Sequence, residues 1–281
     1  MNNENIKVLK KFFETKPQIV MAFLFGSRVR GKQRKTSDWD IGIYFKPVEY
    51  MELETDFEYP EEEKIWGELV EILQTDNIDL VILNRTSPDL VYNILRDGLP
   101  LKISDKKLYL NLLCKVSYEA MDWWKFVDEY YWISEKAKSI SPENKAEILK
   151  YLRFLENEFS DIEIMKNITW QEYNQNSIKR RALERWIENL VMGCLDISKI
   201  ILASEKKTIP QSYKETLKVF CTILGFSSEE VEEFSALAQY HNIVVHEYLD
   251  IRWKRMQKFI SLVEKLFPAF LERVKEVIKN A

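Results

Sequence analysis

Asp38 and Asp40 stand one residue apart in a segment that is otherwise apolar and aromatic, Asp38-Trp-Asp-Ile-Gly-Ile-Tyr-Phe45. On an extended strand this spacing sends both carboxylates out of the same face. Two carboxylates side by side repel, which raises the pKa of one unless a cation sits between them. Hard oxygen donors of this kind suit Mg2+, an ion that also binds nucleotide phosphates. Upstream, the apolar run Ile19–Phe25 ends in Gly26-Ser27-Arg28-Val29-Arg30-Gly31, and ten residues separate Ser27 from Asp38. A strand that ends in Gly-Ser can turn sharply and aim backbone N–H groups at a phosphate. A helix starting at Ser27 would add its positive end, and Arg28 and Arg30 add charge suited to a triphosphate. Asp79, at the head of Ile78-Asp-Leu-Val-Ile-Leu83, offers a third carboxylate. On a neighbouring strand it would complete a two-metal site and help activate an attacking hydroxyl. A lone Asp-x-Asp is more often a solvated strand start; the preceding Gly-Ser and the following Asp79 favour chemistry here.

Positioning these groups requires strands, and the first hundred residues read as alternating helix and strand. Ile6, Leu9, Lys10 and Phe13 suggest a short amphipathic helix ended by Pro17. Ile19–Phe25, Asp38–Phe45 and Ile78–Leu83 read as strands, and Leu99–Ile103 as a short last one. Pro60 opens a helix through Gln74, with Ile65, Leu69, Ile72 and Leu73 on one face. Ser87-Pro88 is a cap and first-turn pair for a helix that Gly98 ends. After Asp105 strand signals stop. Lys106–Lys138, Pro142 to about Lys166, Ser177 to about Ser204, Tyr213–Leu224 and Glu229 to about Lys279 read as helices, separated at Ser141-Pro142, Thr208-Ile-Pro210 and Gly225-Phe-Ser-Ser228. The expected fold class is α+β: an N-terminal mixed-sheet domain over 1–105, a helical extension over 106–141 and an all-α bundle over 142–281.

Gly26-Ser27, ten residues, then Asp38-x-Asp40 resembles the signature of minimal nucleotidyltransferases of the DNA polymerase β superfamily. The resemblance spans about residues 15–105. It implies Mg2+-dependent transfer of a nucleotidyl group, with ATP as substrate, onto a hydroxyl. Carried over by position, it implies that Gly26, Ser27 and Arg28 bind the nucleotide and that Asp38, Asp40 and Asp79 are the metal ligands and catalytic acids. The aromatic helix with Trp123, Trp124, Tyr130, Tyr131 and Trp132 resembles the C-terminal extension of antitoxin-like transferases; by residue type these side chains suit core or interface.

The only histidines, His241 and His246, fall in His241-Asn-Ile-Val-Val-His-Glu-Tyr248. Five residues on a regular helix separate their side chains by about 140°, which does not match the i, i+4 pairing of a helical metal site. Together with Ile162–Asn167, Ser177–Arg185 and Pro210–Glu215, this stretch is similar to the HEPN toxins that are partnered by minimal nucleotidyltransferases. The resemblance implies a helical homodimer with an Arg-x4-His-x-Tyr ribonuclease motif, and a motif tyrosine that the transferase can adenylylate. Here His241 stands at the arginine position, while Asn242, His246 and Tyr248 match. An imidazole is mostly neutral near pH 7 and lacks the bidentate grip of a guanidinium, so nuclease chemistry is weakened while Tyr248 remains a plausible AMP acceptor. A small-molecule transferase of the aminoglycoside-modifying kind and an RNA-binding module are the alternatives. RNA would engage basic groups such as Lys179, Arg180, Arg181, Arg185, Arg252, Lys254, Arg255 and Lys258, which otherwise read as solvated helix faces.

Composition sets the outer limits. Apolar residues at 46% and charged ones at 31% support a packed core, and a net charge of −4 excludes a generic polyanion binder. Cys114, Cys194 and Cys221 are odd in number and lack ligand spacing, which argues against a disulfide framework or a zinc site. The polar stretch Met1–Lys11 and the strand-sized apolar run Ile19–Phe25 lead to the expectation of a cytoplasmic protein without a membrane segment.

Overall fold

Ile19–Phe25 (β1) has no polar residue because it lies inside a sheet covered on both faces. The computed structural model describes residues 3–29, 38–48, 51–55, 57–137, 139–240 and 253–280. Its sheet has the order β3-β2-β1-β4, with β2 at Trp39–Phe45, β3 at Ile78–Ile82 and β4 at Leu99–Ile103. β1 is antiparallel to both β2 and β4, whereas β2 and β3 are parallel, so the sheet is mixed. Between Ile19 and Met21, β1 carries one extra residue relative to β2. This bulge turns Val20 and Met21 toward the same core, which strict alternation would forbid. Pro100, which has no N–H to give, sits on the edge strand β4.

One face of the sheet packs Ala22, Leu24, Ile41 and Ile43 against Leu9 and Phe13 of α1 (Asn3–Glu14) and Ile65 and Leu69 of α2 (Glu62–Leu73). The other packs Phe23 and Tyr44 against Val91 and Ile94 of α3 (Pro88–Asp97) and Leu108, Leu112 and Val116 of α4 (Lys106–Lys136). α3 starts after Ser87 as the sequence predicts. The Ser87 hydroxyl, however, donates to Asp89 Oδ1 at 2.7 Å instead of accepting from a helix N–H.

A buried polar network fastens the segment after β2 to the sheet. Asn84 accepts from Phe45 N–H at 2.8 Å, and its amide donates to Phe45 O at 3.2 Å and to Glu52 Oε2 at 3.1 Å. Glu52 also accepts from Val48 N–H and from the Tyr59 hydroxyl. Burial, then the Glu52 carboxylate, pushes the Tyr59 pKa up to about 12. Asn84→Ala would leave Phe45 N–H and Glu52 short of a buried partner, at a cost of about 2 kcal/mol. The expected result is a loss of roughly 8 °C in the melting temperature of this unit by differential scanning calorimetry. An unchanged transition would contradict the network's role.

The chain divides into two compact units, Met1–Asp122 and Trp123–Ala281, and the division falls within α4. The second unit is helical: the end of α4, α5 (Pro142–Ser160), α6 (Ile162–Lys166), α7 (Trp170–Gln175), α8 (Ser177–Ser204), α9 (Tyr213–Ile223), α10 (Ser228–Ser235) and α11 (Trp253–Asn280). Its helix starts are capped as sequence chemistry dictates: Ser141 accepts from Asn144 N–H, Asn176 from Ile178 and Lys179 N–H, and Ser212 from Glu215 N–H. Two predicted helices are broken. Pro142 to Lys166 divides at Asp161, and the stretch expected to run from Glu229 ends its first helix at Ser235. α7 is an element the hydrophobic pattern does not predict; a capping box between Thr169 and Glu172 starts it. α5 and α8 approach closely at Gly193, where a Cβ would sit 2.5 Å from Leu155 Cδ2. Trp123, Phe126 and Tyr130 belong to the core of this unit, while Trp124, Tyr131 and Trp132 are exposed. All three cysteines are free thiols.

Candidate functional site

Sheet register brings the predicted residues of the first unit to one end of the sheet. Phe25, the last residue of β1, pairs with Asp40. On the other side of β2, Asp40 pairs with Asp79 of β3. Parallel pairing places these two side chains on one face of adjacent strands, about 4.8 Å apart along the hydrogen-bonding direction. Asp40 is half-buried, while Asp38 and Asp79 are exposed.

The chain leaves β1 through Gly26, whose φ of 73° lies in the left-handed region. A Cβ at this position would lie 1.9 Å from Asp40 Oδ2 and 2.6 Å from Asp40 Cγ. Glycine is therefore required twice, by the turn and by the carboxylate packed against it. Gly26–Arg28 forms a single 3-10 turn closed by Val29 N–H on Gly26 O, at the place where a helix from Ser27 would start. The Ser27 backbone N–H lies near enough to the Asp40 carboxylate to favour its charged form.

Asp40 is held above the ordinary carboxylate range. Burial is the largest cause, followed by the negative charges of Asp79 and Asp38; the Ser27 N–H and the Arg28 charge pull the other way and do not prevail. Asp40 therefore senses the charges of both neighbouring acids. Among the described residues, no three His, Cys, Asp or Glu side chains close on a common point to hold a metal ion. The donor chemistry nonetheless fits a hard divalent cation: oxygen ligands only, with like-charge repulsion at Asp40 that a cation would relieve.

Sequence reasoning passes over Trp39. It is 6% exposed, and the Arg28 guanidinium lies over its ring at 4.2 Å from the centroid. Arg28 Nε also donates to Asp38 O at 2.7 Å. The only hint in the sequence is an arginine after Gly-Ser and an indole between the two aspartates.

In the second unit, His241, Asn242, His246 and Tyr248 lie outside the described residues, as do Arg30, Gly31, Ser37 and Arg252. Of the predicted basic groups, Lys179 pairs with Glu172 and Arg185 with Glu188. The buried ammonium of Lys199 is shared by Glu129 and Asp196. Burial alone would depress its pKa, but the two carboxylates outweigh burial and raise it. Among the described residues, no helix is long and apolar enough to cross a membrane.

Residues 7–107 match the family model described as polymerase beta, nucleotidyltransferase, and residues 148–277 match the one described as ribonuclease HepT-like. No curated protein matches the chain at a significant level. Among solved structures, the chain is similar to YutE, a cytosolic protein of unknown function from Bacillus subtilis, at 19% identity and a TM-score of 0.42, over 48% of this chain and 90% of that one. A crystal structure of a toxin–antitoxin with AMP-PNP is similar at 20% identity and a TM-score of 0.35, over 46% of this chain and 98% of that one.

Proposed function

We propose that this chain, which joins a polymerase beta nucleotidyltransferase segment to a HepT-like segment, transfers AMP from ATP to a hydroxyl group. The acceptor in this reading is a tyrosine of a HEPN-type domain, either the chain's own Tyr248 or that of a partner copy in a homodimer formed through the helical half. The observation that carries the proposal is the convergence of the Gly26-Ser27 turn on Asp40, with Asp79 in register beside it.

In this reading the Gly26-Ser27 turn meets the triphosphate, and the Arg28 charge, which already favours the ionised form of Asp40, acts from nearby. Asp38, Asp40 and Asp79 would hold Mg2+, which when bound offsets charge on the phosphates and makes the attacking hydroxyl more acidic. The acceptor oxygen bonds to the α-phosphorus, the bond from that phosphorus to the β-bridging oxygen breaks, and pyrophosphate leaves. The hydroxyl proton passes to a carboxylate, and exposed Asp79 is accessible for that role.

Ribonuclease action stands second. The family that matches the helical half is a ribonuclease family, but His241 occupies the position where the resemblance calls for arginine. ATP labelled at its α-phosphate is expected to leave label on the protein, and ATP labelled at its γ-phosphate is not. Label retained from the γ-phosphate would indicate phosphoryl transfer and overturn the proposal. Pyrophosphate release that depends on an added aminoglycoside, with no labelled protein, would move the acceptor to a small molecule.

A further inference from the structure

The Gly26-Ser27 turn is tied to β2 at two places of different chemistry. One tie is the close packing of the turn on the Asp40 carboxylate, whose Oδ2 would lie 1.9 Å from a Cβ at Gly26 and whose charge the nearby Ser27 N–H favours; any cation bound by Asp40 competes for that same charge. The other is Arg28, whose Nε holds Asp38 O and whose guanidinium covers the Trp39 ring. Strand alternation puts Trp39 on the face opposite Asp40, and the core contacts agree: Trp39 packs with Ile41, Ile43 and Phe45 on the α1 and α2 side, whereas Tyr44 packs on the α3 and α4 side. The second tie therefore uses neither the oxygens nor the face that a metal would occupy. A planar guanidinium stacks on an indole and donates in its own plane at the same time, which an ammonium cannot do.

We infer that Trp39 is a positioning residue: its indole, stacked with Arg28, keeps the Gly26-Ser27 turn against Asp38 and Asp40 when Asp40 engages a cation. The inference rests on the transferase reading and adds to it a residue that meets neither metal nor nucleotide. Its test is Mn2+ binding to the full-length protein without nucleotide, read by electron paramagnetic resonance, for wild type, Trp39→Leu, Trp39→Phe and Arg28→Lys.

Trp39→Leu and Arg28→Lys are expected to bind Mn2+ about tenfold more weakly, and Trp39→Phe to stay within about twofold because a ring face remains. Arg28→Lys keeps the charge, so an arginine serving only as a phosphate ligand would leave Mn2+ affinity unchanged. Unchanged Mn2+ affinity in folded Trp39→Leu and Arg28→Lys overturns the inference. Should Trp39→Leu fail to fold, shown by its melting curve, Arg28→Lys decides alone. A wild-type protein that binds no Mn2+ overturns the transferase reading itself, an outcome distinct from wild type and variants binding alike.

Discussion

Asp40→Asn is expected to reduce nucleotidyl transfer by at least about a thousandfold while leaving the fold as stable as wild type or more so. The loss follows from removing the carboxylate that the Gly26-Ser27 turn and both neighbouring acids surround. The gain follows from the sign of the pKa shift. Asp40 is raised in the folded state by burial and by Asp79 and Asp38, so the native protein holds that proton more tightly than the unfolded chain does. The resulting destabilisation is fully present above the folded-state pKa. It fades as pH falls through the window between the raised folded value and the unfolded one, and it is gone below the latter. At pH 7 asparagine removes the repulsion yet still presents an oxygen to the Ser27 N–H. Melting curves at pH 7 for the two proteins check this, and a marked loss of stability in the variant would show that Asp40 holds the fold together rather than serving a ligand.

Gly26→Ala is the second large effect, expected at about a hundredfold loss of transfer. Its φ of 73° costs an L-residue about 1–2 kcal/mol, and the added Cβ cannot coexist with Asp40 Oδ2 at 1.9 Å. The carboxylate must swing away from the turn, separating the phosphate side of the site from the metal side. Activity should therefore fall far more than stability does. Transfer rates together with calorimetry test this, and a variant with wild-type transfer would mean that the turn does not shape the site.

These expectations draw on features that differ in how far a sequence exposes them. Asp38, Asp40, Gly26 and the strands bearing them are legible because short apolar runs and a Gly-Ser break are local signals. The pairing of Asp40 with Asp79 is foreseen as a neighbouring strand, but its parallel register and the position of β3 at the sheet edge depend on non-local contacts. The Val20 bulge leaves no mark in an all-apolar strand. The Asn84–Glu52–Tyr59 network joins residues from three separate segments, and none of them stands out in sequence. In the helical half, α7 has a readable Thr169-x-x-Glu172 start but is too short to show a hydrophobic period. The break at Asp161 has neither Gly nor Pro to announce it. The boundary between units is hidden for another reason: α4 keeps one helical period from Lys106 to Lys136, and its buried residues pass from one core to the other along the way.

The proposed transfer is tested most directly by intact-mass spectrometry after incubation with ATP and Mg2+, beside an Asp38→Ala/Asp40→Ala control. The predicted result is a mass increase of one or more AMP units that is absent from the control and maps to Tyr248. An unmodified mass in a protein that still binds ATP would contradict self-adenylylation and move the acceptor outside the chain.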